Sequence, residues 1–363
     1  MKEFLMALTV LVLGLSAVFS ILGLIDKIDE FLPHRPGAGL LLQYALLSIP
    51  RFVEYLLPMA ILLSSLFIFS QALNRHEITV IKSASGKMKK VLRPFVGMGV
   101  LLTLFAFVLG EIIVPLSAQK LHAVRDRITG KSKKVVFREG TLYMRGKDGS
   151  VVRIELYMPD KNISKDISIF LLDDGRLKQR IDAGSAEWVG DDWELRNVAV
   201  QDIASGRTLL KERMRYGGIE SPRIFREDLW KVEEMTMKEL LGYNRRLSEA
   251  GFKNTKLPAD INSRLSYPLI NLFMLLLGIS LSIGGEQKVF QVISHAKIFS
   301  GTHANIGMVS TGLGLVISLV YWFGYSLCLS LGYAGTIPPA PAPWIVPCLF
   351  AGVSSYLYSR IPE

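Results

Sequence analysis

The chain is poor in the residues that most chemistry requires. Its 363 residues include two cysteines and five histidines. Cys328 and Cys348 alone build neither a disulfide framework nor a four-ligand zinc site, so no metal is expected. Both lie near the same end of apolar segments and read as small residues packed among helices. Charge is also missing over long stretches, and none falls between Phe4 and Ile25. Catalytic motifs are absent or broken. Gly130-Lys131-Ser132 resembles the end of a phosphate loop, but Arg125 stands where the first glycine belongs. His76-Glu77 starts like a zinc-protease helix, yet Val80 replaces the second histidine. No Gly-x-Ser-x-Gly elbow occurs. An enzyme is therefore not expected, and any ATP used must be hydrolysed by another subunit.

What the chain has is apolar length. Half of it is hydrophobic, and the mean hydropathy is positive, which puts much of it in lipid. The formal net charge of +10 does not point to nucleic acid, because neither a basic domain nor an aromatic-basic motif is present. Basic residues beside apolar spans instead set membrane orientation.

Phe4 to Ile25 is long enough to cross a ~30 Å hydrocarbon core at ~1.5 Å per residue. It exceeds a signal-peptide core and ends without a cleavage site. Ser16, Ser20 and Gly23 keep one stripe of this helix small, which suits close contact with another helix. After the polar connector 26–39, the segment Leu40 to Ile49 either lies in the interface or extends the next span. Spans two and three run from about Phe52 to Leu73 and Leu92 to Leu116. Glu54 and Glu111, at their ends, read as carboxylates snorkelling to headgroups. Between these spans lies Leu73 to Lys90, with Arg75, Lys82, Lys87, Lys89 and Lys90 against Glu77. By the positive-inside rule this stretch is cytoplasmic, and 117–260 is then outside.

That outer portion changes character. Short β-branched and aromatic runs, Val135–Arg138, Thr141–Arg145, Val151–Tyr157 and Ile167–Leu172, are separated by turn residues. Gly190-Asp191-Asp192 joins two further runs as a hairpin. The pattern predicts an antiparallel sandwich or open barrel, followed by an amphipathic helix from Met237 to Ala250 with Leu240, Leu241, Tyr243 and Leu247 as its apolar positions. Spans four to six follow at about Leu265–Ile283, Ile306–Leu329 and a short Trp344–Ser359. The expected layout is 1–116 with three spans and a cytoplasmic coupling helix at about 74–90, a β domain at 117–260, and three spans in 261–363.

Residues Arg75 to Gly86 resemble the end of the SE-[IL]-x-x-[ML]-x-[AS]-x-G pattern of the LptF/LptG (YjgP/YjgQ) permeases of the lipopolysaccharide export ABC transporter. Ser48-Ile49-Pro50-Arg51, Leu57-Pro58-Met59-Ala60, Trp193-Glu194-Leu195, and Arg264 with Pro268 fit the same family in the same order. Ile337-Pro338-Pro339 is closer to its LptG branch. Two features depart from it. His76 stands where serine usually precedes the glutamate, and the lysine-rich outer end of span one is represented by Lys27 alone, among Asp26, Asp29 and Glu30.

The resemblance implies an α-helical membrane protein with six transmembrane helices (3+3) and an inserted, all-β, jellyroll-like periplasmic domain. It implies a bacterial inner-membrane permease that moves lipopolysaccharide outward. The partners would be a second permease of the family, a cytoplasmic ATPase dimer of the LptB kind using ATP and Mg, a bridge protein of the LptA kind, and a single-span protein of the LptC kind. No cofactor is expected on this chain. Arg75, Glu77, Ile78, Ile81 and Gly86 would couple to the ATPase, with Ile78 and Ile81 as an apolar knob. Lys27, Arg51, Lys120, Arg125 and Arg264 would ring the outer rim and meet lipid phosphates. Ser16, Ser20 and Gly23 would form a lateral gate with span five of the partner permease, and Gly307, Gly312 and Gly314 let span five here pack closely. The competing reading is a membrane-anchored β-domain scaffold without transport.

Overall fold

A computed structural model describes residues 1–83, 88–129, 135–138, 141–158, 162–173, 176–190, 192–203, 205–219, 221–222, 235–249, 254–284 and 306–361. The chain divides into two compact units. One combines Met1–Ile128 with Thr255–Glu363, and the other is Thr129–Asn254.

The first unit is helical. Helix α1 (Lys2–Ile25) leads through the short α2 (Ile28–Phe31) and a 3-10 turn to α3 (Ala38–Asn74), which is 37 residues long. Leu40 to Ile49 therefore extends span two. Pro50 and Pro58 sit inside α3 without ending it, as happens where packed neighbours hold the helix around the freed carbonyls. A seven-residue α4 (Glu77–Ser83) precedes α5 (Met88–Val108). A π-turn, Leu109–Ile113, then joins α5 to α6 (Val114–Thr129). The third long helix thus continues past the expected end at Leu116, and the second unit begins at Thr129 instead of 117. The reason is that the polar residues after Val114 remain good helix formers.

After the β unit come α8 (Lys256–Gly284), α9 (Ile306–Tyr333) and α10 (Ile345–Ser359). Among the described residues, five helices are long and apolar enough to cross a membrane. The expected sixth, α10, has 15 residues, about 22 Å at 1.5 Å per residue.

Helix α8 is the centre of this unit, with 72% of its apolar window buried against 22% for α1 and α9. Glycine permits the approach: a Cβ at Gly278 would collide with the Ser65 hydroxyl of α3, and one at Gly314 would lie 2.5 Å from Leu66. Polar side chains add specificity. The Tyr267 hydroxyl donates to the Tyr55 carbonyl (2.8 Å), the Trp344 indole donates to Asn262 (3.1 Å), and the Tyr333 hydroxyl donates to Asp260.

The second unit is a seven-stranded antiparallel sheet: β1 Val135–Arg138, β2 Thr141–Arg145, β3 Val151–Met158, β4 Ile163–Asp173, β5 Arg176–Val189, β6 Asp192–Asp202 and β7 Thr208–Tyr216. The strands pair in sequence order, so the jellyroll-like domain is connected as a meander. The β5–β6 hairpin is as expected, with Val189 opposite Asp192 and Gly190 at φ +67.

One face is apolar and deeply buried, with Val152, Ile169, Trp193 and Leu195 all at 0% exposure. The sheet buries it by curling. Lys147, in the β2–β3 turn, donates its N–H to the Gly218 carbonyl just beyond β7 at 2.8 Å, although β7 lies four strands from β3. The Tyr216 hydroxyl and Ser150 both donate to the Asp148 carboxylate and close the clasp.

The bend has a backbone signature. The ladder skips Glu155 and Asp166, then Gly184 and Asn197, then Glu212, without changing register. Asp166 and Asn197 are left-handed, at φ +52 and +55. Across this line the core spacing changes from two residues to three, as from Ile154 to Tyr157, Ala183 to Ala186 and Leu195 to Val198. The apolar face therefore continues while the strands bend. Helix α7 (Met237–Glu249) starts at a capping box in which Thr236 and Glu239 bond reciprocally (2.9 and 3.4 Å). It buries Leu240 and Leu247, leaves Leu241 exposed, and directs the Tyr243 hydroxyl to the Tyr157 carbonyl.

Candidate functional site

The residues singled out in the sequence fall at two ends of the helical unit. At the first, α3 closes on Arg75, and His76 takes φ +58 before α4 begins. That left-handed residue separates α3 from α4 at a position where glycine is more usual. Beyond it α4 turns an apolar side inward. Ile78 is 5% exposed within the main helical core, and Ile81 packs partly buried against it. These two are anchors, which corrects the expectation of an outward knob. The outward face carries Glu77 and Val80, the latter 63% exposed. Gly86 lies outside the described residues, as does part of the expected helix at about 74–90. A recess of about 200 Å³ opens beside α4, with Arg75, Glu77 and Glu3 at its polar margin and Ile78, Phe69 and Phe95 among its apolar lining. Phe95 also meets Phe4 of α1, with ring centroids 6.2 Å apart.

At the other end, two of the five selected cations, Arg125 and Lys27, meet Glu30. Arg125 of α6 donates from Nε (3.0 Å) and from Nη2 (2.7 and 2.9 Å) to both oxygens of Glu30, and Lys27 lies 3.9 Å from the same carboxylate. The Arg51 guanidinium sits 5.8 Å over the Tyr55 ring. Beneath them Phe31, Tyr44, Val124 and Ile128 form a small core that docks α6 on the connector.

The remaining two cations lie elsewhere. Lys120 is exposed on α6. Arg264, 18% exposed on α8, lies 3.9 Å from Glu111 on the π-turn. Glu54 abuts Gly110 on the same turn, where a Cβ would fall 2.5 Å from its carboxylate. Glu54 and Glu111 are thus engaged between helices instead of reaching for headgroups. A π-turn carrying a paired carboxylate is a feature the sequence pattern did not reveal.

The small stripe on α1 is also spent within the chain. Ser16 and Ser20 are buried. Ser20 donates to the Ala45 carbonyl and lies 2.8 Å from the Ser48 hydroxyl, and a Cβ at Gly23 would lie 3.3 Å from the Phe52 ring of α3. The stripe seats α1 on α3 of the same chain, which overturns its assignment to a contact with a partner. What α1 presents outward is Val10, Leu13, Val18 and Ile21. On α9, Gly314 packs on α3, whereas Gly312 faces open space on the exposed side with Val316 and Leu319. Gly307 belongs to the first turns of α9, whose side chains lie outside the described residues.

Membrane-length helices interrupted by an inserted, curled β unit, with charged clusters at both helix ends, define an integral membrane protein. Compared with known proteins, residues 1–360 match the model of the family described as lipopolysaccharide export system permease LptF/LptG. The chain belongs to that family. It is similar to the lipopolysaccharide export system permease protein LptG of Escherichia coli K12, with 22% identity over 292 residues, covering 77% of this chain and 80% of the relative. The LptG of E. coli O6:H1 (strain CFT073) matches equally.

Proposed function

We propose that the chain is the LptG-like permease subunit of an ABC transporter that extracts lipopolysaccharide from the inner membrane and passes it through its periplasmic β domain toward the outer membrane. The observation that carries this reading is the family match over residues 1–360 together with a β unit enclosing an apolar face in its curl. The chain makes no ATP chemistry of its own in this reading. An LptB-like ATPase dimer, using ATP and Mg, docks at the α4 end against Glu77 and Val80, with Arg75 at the margin and Ile78 and Ile81 fixing the helix from below.

A second LptF/LptG-type permease completes the cavity. The outward apolar faces of α1 and α9 are what this chain offers it or the lipid. Lys27, Arg51 and Arg125 meet the phosphates of the glycolipid at the outer rim, where guanidinium forks suit bidentate phosphate contact. The acyl chains follow the apolar interior of the sheet. Among the described residues its edge strands are β1 and β7, and one of these pairs with an LptC- or LptA-like neighbour by strand addition.

The test is reconstitution. The chain purified from its membrane brings down an ATPase and a second permease, and the complex in proteoliposomes releases labelled lipopolysaccharide only with ATP. A chain that purifies without an ATPase, or an ATP-insensitive complex, supports the scaffold reading instead.

A further inference from the structure

The Arg125–Glu30 pair is stronger in geometry than its position requires. Both side chains are about one-third exposed, at 34% and 29%, and solvent screens an ion pair so placed. Docking of α6 is already provided by Phe31, Tyr44, Val124 and Ile128 beneath it, with the Phe31 and Tyr44 rings edge to face at 5.2 Å. The pair is therefore not needed as a strut and can open without undocking the helix. While closed, it fills both prongs of the Arg125 fork and sits beside Lys27.

We propose that Glu30 is an internal competitor for the anionic headgroup, a carboxylate standing where a lipid phosphate would sit, and that it sets the selectivity of this site for phosphate monoesters. This rests on the reading above that Lys27 and Arg125 hold phosphate. A carboxylate offers one negative charge and two oxygens, whereas a phosphate monoester carries about −1.5 to −2 and three oxygens. Exchange for such a phosphate gains charge and contacts. Exchange for a phosphodiester gains little, and a neutral sugar cannot displace the carboxylate at all. The displaced Glu30, already partly exposed, returns to water. Glu30 acts here as a positioning residue through Arg125 and Lys27.

The experiment measures binding of two probes to the full chain in its purified complex: lipid A with two phosphate monoesters, and the same lipid dephosphorylated. Glu30→Gln is expected to tighten the phosphorylated probe about tenfold, the scale of one charge-assisted hydrogen bond, and to leave the dephosphorylated probe unchanged. Glu30→Asp, which keeps the charge on a shorter arm, is expected to give an intermediate gain. Arg125→Ala should remove the preference for phosphate, and Glu30→Gln should restore none of it in that background. If Arg125→Ala removes the preference but Glu30→Gln fails to tighten the phosphorylated probe, or weakens both probes alike, the competitor role is overturned and the phosphate-holding role stands. If Arg125→Ala and Lys27→Ala both bind the phosphorylated probe as the parent does, the phosphate-holding role falls, and the competitor role with it.

Discussion

The two ends of the helical unit use their side chains in opposite ways. At the α4 end Ile78 and Ile81 turn inward, and Glu77 and Val80 are left uncovered. At the connector end a cation is drawn onto a carboxylate, Arg125 onto Glu30. In the proposed reading, one end offers a surface to a macromolecule and the other holds charges that a ligand must compete for. Burial marks the anchors at the first end, and ion pairing marks the charges at the second.

The comparison is broken most severely at Ile78. Ile78→Ala removes a side chain buried to 5% and is expected to cost about 2–4 kcal/mol, read as a lowered thermal midpoint of the detergent-solubilised chain. Val80→Asp, two residues on and exposed, should leave that midpoint unchanged while abolishing stimulation of the partner ATPase. Equal stability losses at both positions would erase the distinction between anchor and contact.

The seating of α1 gives the next effect. Ser20→Ala removes a buried hydroxyl that bonds to Ala45 and Ser48 and should cost about 1 kcal/mol. Gly23→Leu should cost more, by forcing the Phe52 ring away. Both losses should appear in the isolated chain, because the contact is internal.

The layout of apolar spans around a β insertion was legible in the sequence because hydrophobic runs and two-residue alternation are local signals. Strand β7 was missed because Leu209, Leu210, Lys211, Glu212 and Arg213 are exposed on both sides of an edge, leaving no alternation to read. The bend line was missed because its signal is a switch from i+2 to i+3 spacing repeated in several strands, visible only when they lie side by side. Of the candidate site, the sequence singles out the stretch at Glu77 and the cations Lys27, Arg51 and Arg125 by their charge and position. The pairings of Arg125 with Glu30, 95 residues apart, and of Arg264 with Glu111 were not legible, since contacts so distant in sequence leave no local trace. Small residues on α1 showed that a close contact exists but could not tell which helix makes it.

Outside the membrane-length helices, the β-unit clasp supplies a gentler test. Burial acts to raise the Asp148 carboxyl, but hydrogen bonds from Ser150 and Tyr216 outweigh it and hold it below the ordinary carboxylate value. Burial and the bond to Asp148 push Tyr216 up to about 12. The carboxylate contribution is thus present above ~3.9, its unfolded value, and fades as pH falls through the lower folded value. The tyrosine contribution is present below ~10 and fades as pH rises toward 12. Tyr216→Phe should flatten both limbs of the stability profile of the chain. Smallest of all, His76→Gly relieves a left-handed non-glycine residue and should gain up to ~1 kcal/mol without altering ATPase stimulation.

The central claim is that an ATP cycle entering at α4 drives release of a phosphorylated glycolipid held at the connector end. The most direct measurement is ATP-dependent release of labelled lipopolysaccharide from proteoliposomes containing the co-purified complex, with Val80→Asp as the comparison. The account predicts release with ATP, none without it, and none in the variant despite a fully folded complex. Release by Val80→Asp at the parent rate, or release without ATP, would contradict it.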